Sequence, residues 1–167
     1  MNRPTALAVL FKGGKRDETV YMRGAPRRLI RSWLMRQVVL ASHHRFAQGL
    51  ADTLEFLGAK CNFRVVCAYV DEQPLEPQVK EIFDGFGAED EVLVLTDILA
   101  GSVNQKFLPY VAPNVFVVAG VNVVLAMELC LAPAPLTAEG IQEAIDVAGQ
   151  SIKLINTIQI EDDEDDE

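Results

Sequence analysis

Val38-Val39-Leu40-Ala41-Ser42-His43-His44-Arg45-Phe46-Ala47 is the stretch from which the rest of the chain is read. A short run of bulky, largely β-branched residues stops at two histidines, and helical spacing starts at once. Phe46, Leu50, Leu54 and Leu57 recur every three or four positions until Gly58 ends the pattern. A strand that runs straight into a helix is the opening unit of an α/β fold. The two histidines are the only ones among 167 residues. Imidazole is the side chain whose ordinary titration falls near neutral pH, so this turn is a candidate reactive centre.

Outward from that turn the same alternation repeats. Strands are predicted over 37–41, 64–70, 91–96 and 114–119, and helices over about 46–58, after Pro74 and Pro77, over 102–111 and over 122–131. Val79, Ile82, Phe83 and Phe86 should face inward on the second helix, and Ser102 should cap the third. Pro133 and Pro135 break the chain before a last helix capped by Thr137. Its stripe of Ile141, Ile145, Ala148, Ile152 and Ile155 suits a core or a subunit interface. Residues 156–160 are predicted as a short final strand at the sheet edge. Strands that are apolar throughout and alternate with helices imply a mainly parallel sheet covered on both faces. The predicted architecture is a flavodoxin-like three-layer sandwich with strand order 2-1-3-4.

Charge and composition narrow the function. The net charge is −9, but residues 1–34 carry +6 and residues 35–167 carry −15. An acidic body argues against nucleic acid and suits a basic protein partner. No apolar run reaches the roughly 18–20 residues of a membrane span; the longest, 115–126, is interrupted by Gly120 and Asn122. Cys61, Cys67 and Cys130 form no CxxC pair and no zinc spacing, and read as reduced core residues of a cytoplasmic protein. The basic segment 1–34 lacks the periodicity of the rest and is read as an extension outside the fold, with a functional basic arm as the rival. Residues 161–167, all acidic, are read as a solvated tail.

In parallel sheets of this kind, ligands sit beyond the carboxyl ends of the strands. Three loops qualify: Ser42-His43-His44, residues 97–102, and Gly120-Val121-Asn122. If strands one and three are neighbours, His43 faces Asp97. A carboxylate that takes the proton of one ring nitrogen leaves the other with a free lone pair, which can act as base, metal ligand or nucleophile. No serine or cysteine elbow calls for a base, one or two histidines with one Asp is a thin metal set, and there is no GxxxxGK[ST] phosphate loop. Ser42 before the first helix and Gly101-Ser102 at the start of the third stand at helix N-termini, which favour anions such as phosphate. A structural turn histidine and a simple loop acid remain the plain alternatives.

Three blocks then resemble a known family, the IIA component of the mannose class (mannose/fructose/sorbose) of the bacterial phosphoenolpyruvate:sugar phosphotransferase system. They are Val39-Leu40-Ala41-Ser42-His43 with Phe46-Ala47-Gln48-Gly49-Leu50, Leu95-Thr96-Asp97-Ile98-Leu99-Ala100-Gly101-Ser102-Val103-Asn104, and Gly120-Val121-Asn122 with Glu128. The resemblance covers residues 35 to about 160, and implies a phosphotransferase with a phosphohistidine intermediate. His43 would take phosphate from the phosphocarrier HPr and pass it to a IIB subunit serving a membrane IIC/IID permease. Asp97 would orient the ring, Ser42, Gly101 and Ser102 would hold the phosphoryl group, and His44 and Asn122 would be accessory. Neither metal nor cofactor is implied. The family's usual homodimer, with a last strand that can exchange between subunits, makes 156–160 the candidate swapped strand, and a cytoplasmic protein recruited to the permease is expected. His44 stands where the family commonly has Gly, Ala100 replaces the first Gly of the second block, and Val103 replaces a frequent Pro. A Gly at the first two positions could serve a positive φ, which His or Ala adopts at a cost. The same residues would also fit a phosphoryl-donor subunit of dihydroxyacetone kinase, or a degenerate IIA-like regulatory module. The sugar is not legible, because a phosphocarrier does not touch it.

Overall fold

Alternating inward and outward positions along two central strands divide the hydrophobic residues between two cores. In the computed structural model, which describes residues 36–158, Val38 and Leu40 pack on one face with Leu93 and Leu95. Val39 and Ala41 pack on the other face with Val92 and Val94. The elements are β1 (Gln37–His43), α1 (Phe46–Phe56), β2 (Asn62–Ala68), α2 (Leu75–Asp84), β3 (Val92–Thr96), α3 (Ser102–Gln105), β4 (Val115–Ala119), α4 (Val123–Leu131) and α5 (Ala138–Gln150). Short 3-10 turns lie at Leu108–Tyr110 and Ile155–Thr157. All four strands are parallel, in the order β2-β1-β3-β4. This is the predicted α/β sandwich.

Helices α1, α4 and α5 cover the first face through Leu50, Leu54, Leu125, Leu129 and Ile141. The second face is covered by α2, α3 and the segment after it through Leu75, Val79, Val103 and Phe107. Burying each such side chain stabilises the fold by about 1.5–3 kcal/mol. Far from the carboxyl ends of the strands, the buried guanidinium of Arg36 is ionically bonded to Glu91 (Nε–Oε1 2.6 Å) and donates to the carbonyls of Leu129 and Pro133. That pair ties the exit of α4 to the entry of β3.

Several boundaries differ from expectation, for physical reasons. β1 runs on to His43, so the histidine belongs to the strand. β2 starts and ends two residues earlier than predicted. α1 buries Ala47, Leu50, Ala51 and Leu54, while Phe46 and Leu57 at its ends are exposed. The third helix stops after Gln105, with Gly101 as its N-cap residue and Ser102 already helical. Pro109 donates no backbone hydrogen bond and keeps Leu108 from continuing an α-helix, which leaves only a 3-10 turn. α5 ends at Gln150, so Ile141 and Ala148 are core, whereas Ile152 and Ile155 lie past the helix and are exposed.

The extra C-terminal edge strand does not form over its described part. The amides of Thr157 and Ile158 bond back to Leu154 and Ile155, closing a turn instead of pairing with β4. Residues 159 and 160 lie outside the described residues, as do the basic extension 1–34 and the acidic tail 161–167. Among the described residues no helix is long and apolar enough to cross a membrane.

Candidate functional site

β1 pairs along its whole length with β2, ending at His43 opposite Ala68, but its pairing with β3 stops two residues earlier, at Ala41 opposite Thr96. The chain of β3 then turns away, and the Asp97 side chain takes over the next rung of the ladder. Its Oδ2 accepts the His43 backbone N–H at 2.8 Å and the ring Nδ1–H at 2.9 Å. Its Oδ1 accepts the Ile98 N–H at 2.9 Å. Burial pushes the Asp97 carboxyl up, but the His43 ring, the His43 amide and the Ile98 amide outweigh it and hold the group below the ordinary carboxylate range. With Nδ1–H donated to a carboxylate, Nε2 carries the lone pair.

Nε2 faces Ser102 Oγ at 3.1 Å, and that hydroxyl accepts a hydrogen bond of 2.8 Å from the Tyr69 phenol. The Tyr69 ring lies 5.7 Å from the imidazole, tilted by 33°. Gly101 supplies room for this arrangement. Its φ of −66° is open to any residue, but a Cβ there would lie 3.2 Å from His43 Cε1 and 3.2 Å from the Ile98 carbonyl. A side chain at position 101 would press on the imidazole.

A buried polar staple holds the 97–104 loop. Asn104 donates to Thr96 Oγ1 at 3.1 Å and accepts from the Ala100 amide at 3.3 Å, while Thr96 Oγ1 donates to the Val118 carbonyl. Gln105 adds a bond to the Ala100 carbonyl at 2.9 Å. Ala100 itself has φ 57°, His44 has φ 51° and Tyr69 has φ 64°. Among the described residues these are the non-glycine positions with positive φ, and each follows directly or closely on the end of β3, β1 or β2. His44 and Ala100, the two positions where this chain departs from glycine in the resembled pattern, are therefore left-handed, as those substitutions suggested.

The structure brings His43, Asp97, Gly101 and Ser102 together. Ser42 is fully buried, with its hydroxyl turned inward to accept from the Ala47 amide at 2.7 Å and to donate to the His44 carbonyl at 3.2 Å, so it shapes the turn into α1. Asn122 caps α4 by accepting from the Leu125 amide at 2.8 Å. His44 is exposed, with its amide bonded to the Ala68 carbonyl. Sequence reasoning missed Tyr69 because the second strand was drawn two residues too far, placing it inside a strand. With β2 ending at Ala68, Tyr69 becomes the first loop residue beside His43. Among the described residues no group of three or more His, Cys, Asp or Glu side chains could hold a metal ion.

The PTS system fructose IIA component family matches residues 37–146. No curated protein matches the chain. Among solved structures, a protein assigned as a phosphoenolpyruvate-dependent sugar phosphotransferase system (PTS) permease from Klebsiella pneumoniae is 37% identical, with a TM-score of 0.67 over 74% of this chain and 93% of its own. The PTS IIA protein associated with the fucose utilization operon of Streptococcus pneumoniae is 27% identical, with a TM-score of 0.57 over 73% and 95%. The mannose/sorbose-specific IIA subunit from Enterococcus faecalis shares the fold at 20% identity, with a TM-score of 0.61 over 76% and 99%. A family match over more than half of the sequence, on the same parallel sheet and spanning the histidine turn and the Asp97 loop, decides the matter: the chain belongs to the PTS fructose IIA family, the phosphotransferase-system components of sugar transport.

Proposed function

We propose that the protein is a phosphoryl carrier that takes phosphate from phospho-HPr on Nε2 of His43 and passes it to a IIB subunit. The observation that carries this reading is the division of labour between the two ring nitrogens. Nδ1 is held by Asp97, and Nε2 is directed to the mouth of the 97–104 loop. In the step, the Nε2 lone pair attacks phosphorus, the bond from phosphorus to the donor's nitrogen breaks, and the donor imidazole leaves with that electron pair. The positive charge gained by the His43 ring is balanced by Asp97, which keeps the Nδ1 proton in its hydrogen bond. Phosphoryl transfer asks mainly for positioning and charge stabilisation. Ser102 Oγ and the first-turn amides of α3, which helix geometry leaves without partners, suit the three phosphoryl oxygens.

Exposed Phe46, Tyr69, Ile98 and Leu99 stand at the same end of the sheet as His43, which suits docking of protein partners. Exposed Val147, Ile152, Leu154 and Ile155 at the end of α5 suit pairing of two copies into a homodimer. The cellular setting that follows is cytoplasmic, at a IIC/IID permease. The test is incubation with phosphoenolpyruvate, enzyme I and HPr. Acid-labile, alkali-stable phosphate should form on the wild-type protein and on His44→Ala, and not on His43→Ala. Label that persists in His43→Ala would reject the assignment.

A further inference from the structure

The site contains a chain of hydroxyls whose direction follows from counting protons. Nδ1–H is committed to Asp97, so Nε2 of the neutral ring has no proton to give. The hydrogen in the 3.1 Å contact between Nε2 and Ser102 therefore comes from the serine. With that one proton used, Ser102 Oγ can only accept from Tyr69, at 2.8 Å. One arrangement satisfies every group: Tyr69 donates to Ser102, Ser102 donates to Nε2, and His43 donates to Asp97. Linked donors of this kind polarise one another and strengthen the last bond of the chain.

Tyr69 is not held there by burial. It is 57% exposed, and its backbone occupies the left-handed region at φ 64°. That conformation is costly for a residue with a side chain. The strain and the exposure are both accounted for by where they put the phenol, which is over Ser102 and alongside the imidazole.

We propose that Tyr69 is a positioning residue that acts through Ser102, an inference that rests on the carrier reading for its role but not for its geometry. In the unloaded protein Tyr69 aims the Ser102 proton at Nε2 and covers the lone pair with a hydrogen bond. When phosphorus arrives, Nε2 gives up that proton contact, and the serine hydroxyl, still anchored by the phenol, turns to a phosphoryl oxygen. No proton changes owner in the exchange.

The test is a double-mutant cycle of Tyr69→Phe, Ser102→Ala and the combination, read as the rate of phosphohistidine formation from labelled phospho-HPr. Tyr69→Phe retains the ring beside the imidazole and removes only the hydroxyl. It should slow the transfer about 5- to 10-fold, in the range of one lost hydrogen bond. The double variant should be no slower than Ser102→Ala alone, because the phenol has then nothing to act through. Effects that multiply, or a Tyr69→Phe rate equal to wild type, would overturn the proposal. A second readout uses unphosphorylated protein: the 15N resonance of Nε2 of the neutral His43 ring should move in Tyr69→Phe toward its position in Ser102→Ala. An unmoved resonance overturns the relay. If wild-type protein takes no label while the resonance moves as expected, the carrier reading fails and the relay stands.

Discussion

Oδ2 of Asp97 accepts two hydrogen bonds from a single residue, from the backbone N–H of His43 at 2.8 Å and from its ring at 2.9 Å. The first fixes where the residue sits and the second fixes which way its ring turns, so one carboxylate oxygen sets both. Asp97→Asn retains an acceptor oxygen but loses the charge that balances a cationic ring. Phosphoryl acceptance should drop by about 10²- to 10⁴-fold, the range seen when a group that orients or balances a reacting imidazole is lost. Single-turnover labelling from phospho-HPr measures it, with circular dichroism checking that the fold is retained.

Stability should follow the same carboxyl. Asp97 is held below its ordinary range in the folded protein, so its contribution is present in full above the unfolded value near 3.9. That contribution is lost as pH falls through the lower folded value. Urea midpoints of wild type and Asp97→Asn measured from pH 7 down to pH 3 should converge at the acidic end. A gap that stays constant over that range would show that the charge is not what the contacts hold.

Gly101 tests crowding without backbone strain. Its φ admits alanine, so Gly101→Ala should fold, with a stability change within about 1 kcal/mol. The new Cβ at 3.2 Å from His43 Cε1 displaces the ring from Ser102. Acceptance should slow about tenfold or more, since small misplacement of a reacting group is costly. A tenfold loss with an unchanged melting temperature separates a crowded site from a damaged fold.

His44 and Ala100 offer the opposite experiment. A left-handed conformation costs a side-chain-bearing residue about 1–2 kcal/mol, and glycine returns roughly 0.5–1 kcal/mol of that as lost chain entropy. His44→Gly and Ala100→Gly should therefore each leave stability unchanged or raise it by up to about 1 kcal/mol, a few degrees in Tm. His44→Gly should still accept phosphate at close to the wild-type rate. Thermal melts and the labelling assay read the two quantities.

Cys61 should be the reactive thiol. Its Sγ lies 3.7 Å from the Cys130 carbonyl. The Cys130 thiol beside it brings it down to about 7, against burial and with help from the Arg36 guanidinium. The same pairing and burial push Cys130 up. Carboxymethylation mapped by mass spectrometry should reach Cys61 before Cys130, with a rate that rises through about pH 7, and Cys130→Ala should move that rise toward alkaline pH.

How much of this was legible depended on the range of the signal. Apolar runs at 91–96 and 114–119 needed no context to be read as strands, because a strand buried on both faces is apolar at every position. His43 and Asp97 could be paired only on the condition that strands one and three are neighbours, which the alternation of elements allows and the observed order β2-β1-β3-β4 meets. Tyr69 was hidden by an error of two residues, since Tyr69 and Val70 suit a strand as well as the residues before them do. Asn104 and Thr96 could not be joined from sequence: their bond spans eight residues and exists only because the loop folds back over β3. The third helix was overextended because Pro109 comes late enough for a helix to begin before it. Gly101 is legible in the sequence only as part of a helix start that suits a phosphoryl group; the room it leaves for the His43 ring is set by neighbouring atoms that no local pattern shows.

His43 is the last rung of a strand held on one side by Ala68 and on the other by the Asp97 carboxylate. A group attached to its ring therefore has no lever on the backbone. Loaded and unloaded protein would differ in charge at one point on the surface and hardly at all in shape. Partners that must bind one form and release the other would have to tell them apart by electrostatics, so the direction of traffic through such a carrier should be sensitive to ionic strength.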